Sequence, residues 1–333
     1  MFDKILKILF IRFFYNATIK TFDEFKRNRN IFYTKIFFQI NLDKIFNDIL
    51  KYNIKDLEEI QTRVKYYNQI NEFFTPTAKE KIGKFPFKST SYAFDAYEIS
   101  KYFKDEFLWN KEFGDVRHTF KEATICKSRS LENNINNILL KLDKNRHFCF
   151  LKDNINYENK KDIAIFRGAV YQNHRKEFFD SYFGRTFCDI GDTSKQPSQW
   201  KKNFLNKKEQ MKYKFIISLE GNDVASNLKW AMNSNSLVLA PKITCETWFM
   251  EGTLKPNYHF ALIDNENLSA VIEYFKSRPK DALEIINNAH QYIKKFLDKK
   301  KEFHIGILVL TKYFYYSRQL ELNKKRDILE LIK

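Results

Sequence analysis

Three short stretches of this chain combine a cation, glycines, carboxylates and an aromatic ring in ways suited to recognising anions and hydroxyl groups. They are Arg167-Gly168-Ala169, Glu220-Gly221-Asn222-Asp223 and Glu246-Thr247-Trp248. An arginine just before a glycine can make a bidentate contact to phosphate, because its planar fork matches two phosphate oxygens. Carboxylates beside a diphosphate would repel it, so Glu220 and Glu246 suit hydrogen bonds from ribose or sugar hydroxyls instead. The second stretch continues through Ser226 and Asn227. There a glycine turn leading into a helix would aim backbone N–H groups, and the positive end of the helix dipole, at a bound phosphate.

Each stretch follows an apolar run of strand length, and these runs must hold the three loops together. Phe215–Leu219 reads as a buried strand, Gly221 as a reversal, and Asn222 or Asp223 as the cap of a helix with Val224, Leu228, Ala231 and Met232 on one face. Ile163–Phe166, Thr186–Ile190, Leu237–Ala240 and His259–Ile263 supply four more strands, and His174–Tyr182, Leu268–Lys276 and Lys280–Leu297 read as helices. Strands alternating with helices imply an α/β fold with a parallel sheet, whose ligands bind beyond the carboxyl ends of the strands. Upstream, Leu42, Ile45, Phe46, Ile49 and Leu50 form a helical stripe, and Asp56–Tyr67 and Ala93–Phe107 continue at helical period. Residues 113–128 read as loops and short strands, Asn133–Leu142 is amphipathic, and Arg146–Leu151 has the composition of a strand. The last segment, Phe303–Ile332, reads as one long helix. We place domain boundaries so that 1–157, 158–300 and 301–333 are separate segments.

The formal net charge of +17 over 333 residues favours an anionic partner: nucleic acid, an anionic membrane surface or a phosphorylated substrate. The basic residues are spread along the chain rather than gathered in one stripe, which argues against nucleic acid. Cys126, Cys149, Cys188 and Cys245 are widely spaced without a CxxC pair, which argues for reduced thiols rather than a zinc site or a disulfide framework. No apolar run reaches the roughly 18–20 residues that span a bilayer. Met1–Tyr15 is apolar but broken by Lys4, Lys7 and Arg12, so it reads as a buried first element or as a basic amphipathic surface resting on anionic lipid.

The order and spacing of further motifs carry a family resemblance. Phe166–Ala169, Glu220–Trp230, Ser236–Leu239 and Glu246–Trp248, continuing through Leu254–Phe260, together resemble glycosyltransferase family 90. Lys127-Ser128-Arg129, Leu140–Asp143 and Arg146–Phe148 resemble its bacterial lipopolysaccharide branch, and the likeness covers about residues 113–300. The resemblance implies two Rossmann-like domains facing across a cleft (the GT-B type), with the C-terminal helix crossing back to the N-terminal domain. It further implies an inverting, metal-independent enzyme without cofactor, moving a hexose from a UDP-sugar to a hydroxyl of a lipopolysaccharide or lipooligosaccharide core. The donor would lie on Arg167, Gly168, Glu220, Gly221, Asn222, Asp223, Ser226, Asn227, Glu246 and Trp248. Where Asn227 stands, the animal branch carries an arginine, so Lys127 or Arg129 is a candidate for the second diphosphate cation. The family's general base is an aspartate upstream of this region, best matched by Asp115, with Asp143 and Asp153 as rivals; His118 could orient the acceptor, and His147 and His259 read as structural. The expected setting is cytoplasmic, at the inner face of the cytoplasmic membrane. The competing readings are a basic nucleic-acid-binding protein and an inactive scaffold of the same fold.

Overall fold

A computed structural model describes residues 41–78, 80–83 and 91–333. The reading of Met1–Tyr15 as a membrane-facing segment lies outside the described residues. The chain divides into two compact units: residues up to Asn145 together with Asp298–Lys333, and Arg146–Leu297. The divisions fall before the 157/158 and 300/301 boundaries read from the sequence.

The first unit opens with helices α1 (Leu42–Ile49) and α2 (Ile54–Tyr67). Asn41 and Asn53 cap them by accepting from the backbone N–H groups of Lys44 and Asp56, and the apolar stripe buries Phe46 and Ile49. Helix α3 (Ser91–Ser100) is shorter than the periodicity suggested, and the chain after it turns to bury Phe103 and Phe107. Short strands follow: β1 (Lys111–Glu112), β2 (Thr124–Cys126), β3 (Ser128–Ser130) and β4 (Asn137–Leu139). Strands β1, β2 and β4 form a parallel sheet with β2 central.

The second unit is a five-stranded parallel sheet with helices between its strands. Its strands are β5 (Lys161–Gly168), β6 (Cys188–Asp192), β7 (Tyr213–Ile217), β8 (Leu237–Ala240) and β10 (Ala261–Leu262), with β9 (Cys245–Thr247) lying outside this sheet. The helices are α4 (Asn173–Tyr182), α5 (Lys207–Gln210), α6 (Leu228–Met232), α7 (Leu268–Ser277) and α8 (Pro279–Lys294). Phe215 and Ile217 of β7 face a core shared with Phe166, Phe179, Leu239, Ile272 and Ile285, and Ile216 between them is fully buried as well. A strand apolar on both sides is the signature of a sheet covered on both faces. The spatial order is β10-β8-β7-β5-β6. Counted along the chain, the first strand is thus flanked by the second and the third, and the order reverses between β5 and β7. Open parallel sheets bind ligands at the carboxyl end of such a switch point.

The chain then contributes α9 (Lys299–Tyr316) and α10 (Arg326–Ile332) to the first unit, where α9 packs on α2 and α3. Residues Ile305–Leu310 are buried all round, so α9 is a core helix. At Gly306 a Cβ would lie 3.2 Å from Ile99 Cδ1, a close approach of α9 to α3. Among the described residues no helix is long and apolar enough to cross a membrane.

Three sequence expectations are corrected. The long C-terminal helix is two helices, broken where Arg318 takes φ +59° and the Gln319 side chain bonds both backbone groups of Leu108. Arg146–Leu151 is not a strand: a single helical turn (Lys144–His147) precedes irregular chain, and the Leu151 carbonyl accepts from the Asn233 side chain at 2.8 Å. The helix after Gly221 begins only at Leu228 and is five residues long.

Candidate active site

The loops that follow β5 and β7 meet at the switch point, and an arginine outside the sequence-derived set fastens them. Arg175, in the first turn of α4, is buried. It donates from Nη1 to the Ala169 carbonyl (2.6 Å), from Nη2 to that of Leu219 (2.7 Å) and from Nε to that of Glu220 (2.8 Å). Its guanidinium carbon lies 5.5 Å from the Phe166 ring centroid, a cation–π approach. The glycines of the two motifs lie beside it, and the tight approach at Gly168 is to the Phe166 ring. A Cβ on Gly221 would stand 3.4 Å from Arg175 Nη2, and one on Gly168 would stand 2.9 Å from the Phe166 ring and 3.8 Å from Nη1. Burial pulls the guanidinium pKa down to about 10, opposed by the Glu220 carboxylate. The sequence carried no distinguishing signal for it, because a cation in the first turn opposes the helix dipole only weakly and Lys299 and Lys300 open α9 exposed.

Further links gather the neighbouring loops. Gln172 Nε2 donates to Asn222 Oδ1 at 2.8 Å, and His174 Nε2 lies 2.8 Å from the Glu220 carbonyl. The Glu220 carboxylate accepts from Thr244 N (2.8 Å), Thr244 Oγ1 (2.5 Å) and Cys245 N (3.1 Å), joining the β7 loop to the entry of β9. Asp192, at the end of β6, accepts from Val170 N and from Ser194, and its carboxyl is held below the usual range by Ser194 and Lys201 against the opposing effect of burial. Asn227 bridges Ser218 Oγ and the Ile217 carbonyl, fixing the turn of residues 218–227, so the helix that Asn222 or Asp223 was expected to cap begins only after Asn227. Asn222 and Ser226 are exposed, whereas Asp223 is buried.

Arg167 was expected to grip phosphate, but it is turned toward β6. Its Nη2 pairs with Asp189 Oδ2 at 2.8 Å, and its remaining donors bond the carbonyls of Phe166, Asp189 and Asn203. Alternation along β5 places Phe166 and Arg167 on opposite faces, and only Phe166 meets Arg175. Glu246 and Trp248 are buried at 2% and 0% exposure, with Glu246 accepting from Gly252 N. The loop beyond them is locked by a buried ion pair that the sequence reading also missed. Lys229 Nζ lies 2.6 Å from Glu251 Oε1, and Glu251 also accepts from Thr247 N and Oγ1. Met250, held between them, takes φ +56°.

In the first unit, Asp115 follows Gly114, whose φ of +141° favours glycine, and its neighbour Val116 is pinned to Ser128 Oγ through both backbone groups. Lys127, with a side chain 1% exposed, donates to Asp115 Oδ1 at 2.6 Å, while the Asp115 side chain keeps 27% of its surface. Lys127 is thus the partner of the carboxylate. Arg129 is buried over the Tyr66 ring and donates to the carbonyls of Asn137 (3.0 Å) and Tyr66 (2.9 Å). Neither is presented as the loose cation expected for a diphosphate. His118 is exposed and its Nε2 lies 3.4 Å from Glu112 Oε1. Of the rival aspartates, Asp153 is in a buried pair with Lys160 (2.7 Å) and accepts from Asn235 N, while Asp143 is 6% exposed and accepts from Ser91.

His147 and His259 take structural places. His147 is buried against Arg146, and His259 Nδ1 accepts from Lys255 N, its pKa lowered by burial and by Lys295 and Lys255. The four cysteines are free thiols, and burial pushes Cys126 up to about 12 and Cys188 up to about 11. Among the described residues, no group of three His, Cys, Asp or Glu side chains is placed to hold a metal ion.

The chain is similar to known proteins along most of its length. It is 38% identical over 262 residues, 77% of this chain and 82% of the other, to a bacterial protein described as O-glucosyltransferase LpsA, from Dichelobacter nodosus. The sequence profile described as glycosyl transferase family 90 matches residues 142–328. An α/β protein with loops gathered at the end of a parallel sheet is thereby placed among enzymes that transfer sugars. The chain belongs to glycosyl transferase family 90. Asp115, His118, Lys127 and Arg129 precede the first residue of the profile match.

Proposed function

We propose that this glycosyltransferase is inverting and metal-independent, and that it moves a hexose from a UDP-sugar to a hydroxyl of a lipopolysaccharide or lipooligosaccharide core. The observation that carries the donor half is the switch point between β5 and β7, where Arg175 binds the two loops together. On this reading the diphosphate lies beyond β5 and β7, its charge met by Arg175 and by backbone amides of residues 221–226. Asn222 and Ser226, exposed on that loop, supply polar contacts to the donor. The acceptor half belongs to the first unit of a two-domain, GT-B-type arrangement. Asp115 takes the proton of the acceptor hydroxyl while its oxygen bonds to the anomeric carbon, and the bond from that carbon to the diphosphate oxygen breaks, releasing UDP. Among the three candidate aspartates, Asp115 is favoured by its exposure; Lys127 positions it.

The net charge of +17 suits an acceptor bearing core phosphates at the inner face of the cytoplasmic membrane, an attraction that salt screens. The test is release of UDP from a panel of UDP-sugars in the presence of truncated core acceptors. Turnover of one donor without added metal is the expected result. Failure of every donor, with no rise in melting temperature on adding UDP, sinks the proposal.

A further inference from the structure

The second unit carries a cavity of about 670 Å³ that the transfer chemistry does not use, within the size range of small-ligand pockets. It flanks the edge strand β10, two strand spacings, or about 10 Å, from β7 and its loop. Facing sides of α7 and α8 form two of its walls. Tyr274 comes from α7, and Asp281, Glu284 and Asn288 recur at helical spacing along α8, while Tyr258 and Leu262 close it from the chain around β10.

Two features restrict what can bind. First, the chain holds 58 Lys and Arg residues, yet none lines this cavity, whereas two carboxylates do. A nucleoside diphosphate or a phosphorylated core is repelled there. Second, the lining pairs exposed aromatic surface with planar polar groups. Tyr258 keeps 50% of its surface and Tyr274 43%. The Tyr274 ring is held by its hydroxyl, which donates to Asp281 at 2.9 Å, and by Arg278 at 4.4 Å, outside the lining. That bond fixes the Asp281 carboxylate against the ring and leaves Glu284 as the second acceptor. Aromatic rings for C–H faces, with a carboxylate and an amide for hydroxyls, are the chemistry of neutral sugar recognition.

We propose that this cavity is a second carbohydrate site, binding an uncharged hexose segment of a glycan apart from the site of transfer. It does not rest on the assignment of donor or base. Saturation-transfer NMR on the intact protein, with lactose and maltose as probes, UDP as competitor and spermidine as a cationic control, tests it. One of the disaccharides should bind with Kd on the order of 1 mM. Binding should persist at saturating UDP and weaken about tenfold in Tyr258→Ala and in Asn288→Ala, two changes outside the core. Four outcomes overturn the inference: neither disaccharide binds, UDP displaces it, both variants bind like the wild type, or spermidine binds in place of sugar. Heat-unfolding curves matching the wild type exclude misfolding as the cause of any loss.

Discussion

Replacing Arg175 by methionine keeps an unbranched stem as far as the Nε position and removes the three bonds that join residues 169, 219 and 220. Hydrogen bonds to a charged group are worth about 1.5–3 kcal/mol each, which puts the gross loss at roughly 4–9 kcal/mol. Against this stands the relief of burying a cation. The fall of the guanidinium pKa from 12.5 to about 10 corresponds to a cost of about 3 kcal/mol. The net destabilisation is therefore about 1–6 kcal/mol. In a protein of this size each kcal/mol lowers the melting temperature by about 2–4 °C, so a fall on the order of 10 °C is expected. Urea titration at neutral pH measures the free energy, and hydrogen exchange should show faster exchange at the amides of residues 219–221 and 169–171. Arg175→Lys, able to reach one or two of the three carbonyls, should fall between. A loss under about 1 kcal/mol with unchanged exchange would refute the view that this side chain holds the switch-point loops.

Three other outcomes follow from buried charges and from the proposed base. Lys312 is 3% exposed, and burial beside Lys65 lowers its pKa to about 8. Below pH 8 it is charged both folded and unfolded, and folding bears the full burial cost. Between 8 and 10.5 only the unfolded chain binds the proton, so stability from this group rises with pH. Lys312→Met should accordingly add roughly 3 kcal/mol at pH 7 and flatten that slope in denaturant titrations run across the window. Glu251→Gln leaves Lys229 charged and buried, costing about 3–5 kcal/mol, whereas Lys229→Met with Glu251→Leu should recover most of the loss; equal losses in the two proteins would contradict the ion pair's role. Asp115→Asn should reduce turnover by about 10²-fold or more with little change in UDP affinity, and activity retained within a few-fold would remove it as the base.

Much of the second unit is legible because its elements are long and strongly patterned. Phe215 to Ile217, Leu237 to Ala240 and the helices beginning at Leu268 and Pro279 announce themselves by apolar runs or helical period. What escapes is decided by contacts distant in sequence. Nothing local marks residue 317 as a helix end, since the break depends on Gln319 reaching Leu108, 211 positions away. Arg146–Leu151 has strand composition, but a side-chain amide satisfies its Leu151 carbonyl. At the site, the meeting of the loops after β5 and β7 could be read from the motifs, while the engagement of each charge could not. Arg167 and Arg175 are equally cationic in sequence; the pleat of β5 sends one to Asp189, and the first turn of α4 sends the other into the switch point.

That exchange of roles yields the sharpest test of the proposed donor site. The sequence reading gave the positive field to a helix dipole from Val224 and to Arg167. The structure shortens that helix to five residues, ties Asn227 back to β7 and neutralises Arg167 with Asp189. Arg175 lies in the first turn of α4, where the dipole already repels it, and is largely desolvated. Both costs fall when an anion arrives beyond β5 and β7, so a nucleoside diphosphate should bind in part by relieving them. UDP should then stabilise the wild type as RT ln(1 + [L]/Kd), most strongly at low salt. Arg175→Met should weaken UDP binding by about 10²-fold, and Arg167→Met by less than tenfold. The reverse order, measured by calorimetry on both variants, would return the diphosphate to Arg167 and remove Arg175 from the donor site.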